Sequence, residues 1–245
     1  MLKKQDVIGS MWSYHLSKML PKGWKTGIRL KNGLTFLVRS RTADRMIMKE
    51  IFLQEIYNKY SIEVSPADIV IDIGANIGAF SLYASQKASR GTVYCFEPFP
   101  DNYQLLKEQL RINNIQNVQA FNLGVSNKEG QQDLYLSGIN TGGHSLQFEQ
   151  AAGKVTIQTT TLEQFCQDHQ IHHIDFLKLD CEGSEFDIIK HKPDILNRIS
   201  KIVMECHPYP SESVEGMKQL LESYGFTVIR EACNHENIEM LYAKK

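Results

Sequence analysis

Asp68-Ile69-Val70-Ile71-Asp72-Ile73-Gly74-Ala75-Asn76-Ile77-Gly78-Ala79-Phe80-Ser81 is an apolar run broken by one acid, then a Gly-x-x-x-Gly turn, then the start of a helical pattern. A strand buried on both faces of a parallel sheet reads as such a run. A glycine turn at its carboxyl end lets a ligand approach the backbone. The next strand-like run, Thr92-Val93-Tyr94-Cys95-Phe96, ends in Glu97-Pro98-Phe99. An acid at that position is placed to take both hydroxyls of a ribose. A glycine turn alone is equally well an ordinary strand-turn-helix; with Glu97 added, the pair describes a pocket for a nucleoside-containing cofactor.

A dinucleotide site needs Gly-x-Gly-x-x-Gly, because bare amides at a helix start must reach a pyrophosphate. Here the middle glycine is absent and Asp72 points a carboxylate towards that position. No Lys or Arg between Asp72 and Lys87 offsets it. The loop therefore suits a cationic or zwitterionic group, such as the amino group and sulfonium of S-adenosylmethionine. A P-loop is excluded, since no Gly-Lys-Ser/Thr follows.

The 245 residues are 42% hydrophobic and 22% charged, an ordinary profile with ample material for a core. A net charge of −1 gives no global field favouring nucleic acid or an anionic membrane, so neither is expected as a partner. Five scattered cysteines without Cys-x-x-Cys spacing argue for reduced thiols, with Cys95 and Cys206 as small core residues. No apolar run approaches a membrane span and no signal-peptide core is visible, so a cytoplasmic location is expected.

Residues 1–20 carry apolar positions at helical spacing, and Lys31-Asn32-Gly33 between two apolar runs signals a hairpin. A helix is expected over 44–60, with Met46, Ile47, Ile51, Ile56 and Tyr57 facing the core. Residues 1–60 thus read as a helical and hairpin cap and 61–245 as the main domain. There, strands at 69–71, 93–96, 118–123, 174–179 and 201–205 alternate with helices at 79–88, 101–113 (capped by Asp101 or Asn102), from Ser184, and at 213–224. The pattern is an α/β, doubly wound, mostly parallel sheet. Strand-like runs at 226–229 and 238–242 close the domain, and the short link between these two requires one of them to run antiparallel. Between strand-like runs at 133–136 and 155–157 lies the glycine-rich insertion Gly138–Ser145, of a kind that is more often a functional loop than a disordered one.

Lys178-Leu179-Asp180-Cys181-Glu182-Gly183-Ser184-Glu185 puts three carboxylates at a strand-to-helix junction. In a doubly wound sheet this junction opens on the same edge as Gly74 and Glu97, as does Glu205-Cys206-His207 after the next strand. Asp72, Glu97, Asp180, Glu182, Glu185, Glu205, His207 and His144 are thus candidates to line one cleft. For Glu185, a first-turn acid serving the helix dipole is an equal alternative.

At these residues the chain resembles the FkbM family of S-adenosylmethionine-dependent methyltransferases. Val70 to Gly78 with Ser81, Phe96-Glu97-Pro98, and Ile174 to Glu185 carry the likeness. Glu205 with His207, and Asp44, Glu50 and Tyr57, also look like family positions. Thr161-Leu162-Glu163 departs from the usual Ser/Thr-Leu-Asp. The likeness spans roughly 40–210. It implies a class I methyltransferase (Rossmann-like) fold and O-methylation of sugars or natural products.

On this reading Asp72 and the Gly74, Ala75, Asn76 and Gly78 backbone hold the methionine part, with Asp180 alongside. Glu97 and Pro98 meet the ribose, and Phe99, Gly124 and Val125 flank adenine. The acceptor, a small molecule or glycan, enters between the cap and Gly143, His144, Glu182 and Glu185. A hydroxyl nucleophile needs a proton acceptor, for which His207 stands first, then Asp180 or His144. Asp180, Glu205 and His207 alternatively hold a divalent metal. A carboxylate or amine acceptor, an NAD-dependent oxidoreductase and a non-catalytic nucleoside-binding module are the rival readings. Oligomeric state is open.

Overall fold

The computed structural model describes residues 3–137, 143–147, 153–233 and 237–245. The chain opens with α1 (Lys4–Val7), α2 (Met11–Met19) and a hairpin of β1 (Lys25–Arg29) and β2 (Thr35–Arg39). The helical pattern over 1–20 is realised as two helices, broken at Ile8-Gly9. Ile8 pairs with Leu30 as an isolated bridge, the Gly9 N–H donates to the Arg29 carbonyl, and Ser10 restarts the helix by accepting from the Ser13 N–H. The hairpin turns at Asn32-Gly33, with Gly33 at φ +92°.

Helix α3 is shorter than expected, Asp44–Phe52. Beyond it Glu55 takes a positive φ of 50°, and the chain turns so that the Tyr57 hydroxyl reaches the Asp180 carboxylate at 2.7 Å. Met48, Ile51 and Phe52 carry the core face of this helix, and the expected Met46 is instead 49% exposed.

The main domain follows as β3 (Ile69–Ile73), α4 (Ala79–Lys87), β4 (Thr92–Phe96), α5 (Pro100–Ile112), β5 (Val118–Phe121), β6 (Gly124–Val125), β7 (Gly130–Tyr135), β8 (Lys154–Thr160), α6 (Leu162–Asp168), β9 (Ile174–Leu179), α7 (Ser184–His191), a 3₁₀ turn (Pro193–Arg198), β10 (Ile199–Cys206), α8 (Val214–Ser223), β11 (Thr227–Ala232) and β12 (Glu239–Lys244). Seven strands form the central sheet in the order β11-β12-β10-β9-β3-β4-β5. The pairings from β10 to β5 are all parallel, and β12 runs antiparallel to both neighbours. This is the class I methyltransferase arrangement, mostly parallel with one reversed strand.

Alternation along the strands divides the core into two layers. Val70, Phe176 and Val203 face α4 and the N-terminal cap, whereas Ile71, Leu177 and Ile202 face α6, α7 and α8. Cap residues Ile28, Phe36 and Met48 belong to the same apolar cluster as the first set. Two departures from the sequence pattern matter for the site. Residues 124–125 leave the main sheet to join β8 and β7 in a small second sheet. Helix α5 is capped by Phe99 with Pro100 in its first turn, which frees buried Asn102 to accept from Arg39 at 2.9 Å.

The hairpin is fixed by two amide side chains one turn apart, Gln109 on α5 and Asn113 at its C-cap. Gln109 accepts from the Leu37 N–H and donates to the Leu37 carbonyl at 2.8 and 2.9 Å. Asn113 does the same for Thr35 at 2.7 and 2.9 Å.

Gly74 adopts φ +78°, and a Cβ there would lie 1.7 Å from the Asp180 carbonyl oxygen. The β3 and β9 loops therefore touch backbone to backbone. Gly74→Ala is expected to cost about 3 kcal/mol or more, combining left-handed strain with overpacking. Urea unfolding reads this directly; a loss under about 1 kcal/mol contradicts the close approach.

Candidate active site

A cavity of about 480 Å³ opens at the carboxyl ends of β3, β4, β9 and β10, roofed by α3 and by residues 143–146. Its wall contains Gly74, Asn76, Glu97, Pro98, Gly124, Val125, Gly143, His144, Asp180, Glu182, Glu205 and His207. The sequence brought these twelve to one edge, and the fold places them around one space. Gly138 to Gly142 of the expected acceptor loop lie outside the described residues.

Five other candidates stand behind the wall. Ala75 is buried and its N–H donates to the Phe96 carbonyl. Gly78 caps α4 at φ +83° against Leu106. Phe99 stacks edge-on against His144, with ring centroids 4.4 Å apart. Glu185 is fully buried and accepts from the Cys181 and Gly183 N–H groups at 2.6 and 2.9 Å. It shapes its own loop rather than facing an acceptor, which corrects the substrate-binding expectation.

Asp72 requires the largest correction. Its carboxylate is fully buried, accepts from the Ser81 hydroxyl at 2.6 Å and pairs with Lys178 at 3.1 Å. The cation absent from the local sequence arrives from β9, 106 positions on. Asp72 is therefore neutralised beneath the loop and exposes no charge to a ligand. Lys178 is 3% exposed, and its ammonium also donates to the Gly74 carbonyl at 2.8 Å and lies 3.7 Å from Asp180. Burial alone lowers its pKa, but Asp72 and Asp180 outweigh this and hold it above the usual lysine value. A lysine inside the apolar strand Phe176-Leu177-Lys178-Leu179 was the sequence signal for this pair.

Glu97 remains in the wall. Its two oxygens accept from the Asn76 and Phe99 N–H groups at 2.8 and 2.9 Å. Burial pushes its pKa up to about 7, against the lowering effect of those two bonds.

Across the cavity, His207 sits among acids. Nδ1 lies 3.3 Å from Glu185, and Nε2 lies 3.7 Å from Glu182 and 3.8 Å from Glu205. Burial lowers the His207 pKa, but Glu185, Glu182 and Asp180 together lift it to about 10. The ring carries two protons at neutral pH, so the expectation that it accepts a proton does not fit its surroundings. Burial, then Asp180, pushes Glu205 up to about 8, with His207 opposing. Glu182, held at φ +53°, is pushed by burial to about 7. Asp180, Glu205 and His207 have donor atoms within 4.8 Å of one another, a spacing compatible with one cation.

His144 offers a donor rather than a base. Its Nδ1 accepts from the Ser137 N–H at 3.0 Å, so the proton of the neutral ring resides on Nε2, which has no hydrogen-bond partner among the described residues. Burial, helped by Arg39, holds its pKa below the usual histidine value.

Residues 72–228 match the family profile described as the methyltransferase FkbM domain. The chain belongs to that family. As an FkbM-domain protein it is an S-adenosylmethionine-dependent methyltransferase. It is 26% identical over 234 residues to the 31-O-demethyl-FK506 methyltransferase FkbM of Streptomyces tacrolimicus, covering 83% of this chain and 90% of that one. It is 26% identical over 224 residues to the AMB antimetabolite synthetase AmbE of Pseudomonas aeruginosa, where the match covers 74% of this chain and only 10% of that much longer protein. Among solved structures, the Methanococcus jannaschii fibrillarin pre-rRNA processing protein superposes with a TM-score of 0.51 at 11% identity, over 92% of this chain and 95% of that one. That likeness concerns the fold alone.

The cofactor fits the cavity on its own terms. Apolar Phe96, Leu123 and Val125 line the same wall as Glu97, and Asn76 Oδ1 is buried with no hydrogen-bond partner among the described residues. An adenine, a ribose diol and an amino group find matching surroundings there.

Lys178→Met leaves Asp72 charged and unpaired in the core and is expected to cost about 3–5 kcal/mol. The double variant with Asp72→Asn should recover part of this, as a double-mutant cycle in urea measures. Strict additivity contradicts the pairing.

Proposed function

We propose that the protein methylates a hydroxyl of a sugar or natural product, the acceptor being a small molecule or glycan. The observation that carries the reading is that one cavity holds the Glu97 carboxylate, placed to take a ribose, on one wall and the group of Asp180, Glu205 and His207 on the other. The O-demethyl acceptor in the name of the Streptomyces relative supports the hydroxyl.

When bound, S-adenosylmethionine supplies an electrophilic methyl group on sulfonium. The chain's contribution is alignment, desolvation and removal of the hydroxyl proton. Glu97 accepts the ribose hydroxyls, and the Gly74–Asn76 backbone meets the amino acid end. Phe96 and Val125 exclude water around adenine. Glu205 takes the acceptor proton: lifted to about 8, it is ionised in about a tenth of molecules at pH 7, and that ionised form is a stronger base than an ordinary carboxylate. Protonated His207 then stabilises the carboxylates around it, and Asp180, fixed by the Tyr57 hydroxyl, orients the acceptor. His144 Nε2–H donates to a second acceptor oxygen.

A second reading is favoured by the donor spacing alone. Asp180, Glu205 and His207 would hold a divalent cation such as Mg or Mn, which would lower the pKa of a bound hydroxyl.

Transfer of labelled methyl from S-adenosylmethionine to a panel of glycans and hydroxylated natural products tests the function. Methylation only of carboxylates or amines overturns it. Glu205→Gln should cut turnover by about 10²-fold or more while leaving S-adenosylhomocysteine affinity unchanged. Activity that survives prolonged chelation selects the base over the metal; activity lost and restored by Mg or Mn selects the metal.

A pH series of S-adenosylhomocysteine binding examines Glu97 separately. The ionised carboxylate accepts both ribose hydroxyls, so affinity should climb as pH rises through about 7 and level off above it. Below that point the loss is about tenfold per pH unit. A profile that Glu97→Gln does not flatten removes Glu97 from the role.

A further inference from the structure

A second cavity, of about 290 Å³, lies on the cap and is lined by Lys4, Tyr14, Lys18, Thr42, Arg45, Met46 and Lys49. Among the described residues its lining holds four cationic side chains and no Asp or Glu. These cations are gathered by the fold rather than scattered. The Lys4 and Lys18 ammonium groups lie 5.3 and 5.2 Å from the centroid of one buried ring, Tyr14. Arg45 is half-buried and donates to the Ser17 hydroxyl at 3.3 Å. The neighbouring acid on the same helix, Asp44, is occupied by Arg39, which donates its backbone N–H and two guanidinium N–H groups.

Two observations connect this cavity to the acceptor. Met46 lines both cavities, so they meet at one exposed side chain of α3. Charge is also segregated between them. Residues 1–50 contain eleven Lys and Arg against three Asp and Glu, whereas 51–245 contain sixteen against twenty-five. The active-site wall carries Glu50, Glu97, Asp180, Glu182 and Glu205. An anionic group is repelled from that wall and attracted to the cap, which orients a ligand carrying an anion at one end and a hydroxyl at the other.

We propose that the acceptor is phosphorylated, and that Lys4, Lys18, Arg45 and Lys49 hold its phosphoryl or pyrophosphoryl group while the hydroxyl reaches over Met46 towards Glu205. Four cations exceed what a lone carboxylate needs and match a group bearing about two charges. Arg45 supplies a planar fork for two phosphate oxygens, and the lysines act as point charges. The identification of the hydroxyl end rests on the O-methylation reading; the anion site does not.

Calorimetric titration of inorganic pyrophosphate into the full chain, with and without saturating S-adenosylhomocysteine, tests the site. The expected result is saturable one-to-one binding that persists when the nucleoside is bound. Lys18→Gln combined with Arg45→Gln should weaken it at least about tenfold, leaving S-adenosylhomocysteine affinity unchanged. No saturable binding, displacement by S-adenosylhomocysteine, or indifference to the double variant overturns the proposal. Failure of S-adenosylhomocysteine to bind condemns the methyltransferase reading instead, because the pyrophosphate isotherm is a separate measurement. Co-sedimentation with phosphatidylglycerol–phosphatidylcholine vesicles distinguishes the source of the phosphoryl group. Vesicle binding abolished by soluble pyrophosphate indicates a lipid-borne phosphate, and pyrophosphate binding without vesicle binding indicates a soluble acceptor. Vesicle binding that pyrophosphate leaves untouched overturns the site.

Discussion

The buried ammonium of Lys178 is the point on which the site depends. One side chain on β9 pairs with Asp72 on β3, donates to the Gly74 carbonyl in the cofactor turn, and lies within 3.7 Å of Asp180. Asp72 in turn accepts from Ser81 in α4, and Asp180 accepts from Tyr57, which arrives from the cap. Two strands, the glycine turn, a helix and the cap are thereby tied to a single charge. Removing such a charge from water is costly, and only partners of fixed geometry repay it. The same geometry sets the separation of the cofactor turn from the acid group.

The opposite wall is governed by an imbalance of the other sign. Asp180, Glu182, Glu185 and Glu205 crowd one histidine. Glu185 accepts from two backbone amides on either side of Glu182, which is itself in a left-handed conformation and lines the cavity. Burial and mutual repulsion then lift Glu182 and Glu205 into the range where proton transfer at neutral pH is effective. His207, the base by residue type, is the one these neighbours keep protonated.

The strands were legible in the sequence because apolar runs bounded by glycine turns have few other uses, and the doubly wound order followed from their alternation with helices. The edge on which the site lies was legible for the same reason. Which side of the wall a residue occupies was not. Asp72, Glu97 and Glu185 are all acids at strand ends or helix starts, yet Glu97 lines the cavity while Asp72 and Glu185 face inward. That difference is made by Lys178 and by the amides of Cys181 and Gly183, contacts a linear pattern does not encode. The helix expected to reach residue 60 stops at Phe52 because Tyr57 is required elsewhere, a tertiary demand that outweighs local periodicity. The segregation of positive charge into the first fifty residues was in plain view but is cancelled in a net charge of −1.

The amide groups of Gln109 and Asn113 meet the backbone of Leu37 and Thr35 as a third strand would. Helix α5 thus supplies the hairpin with a counterfeit neighbour. The outer margin of β2 offers no free ladder to another polypeptide, so self-association through strand addition is foreclosed at that margin. The arrangement also leaves the hairpin's register hostage to two uncharged side chains, whose geometry changes neither with acidity nor with salt.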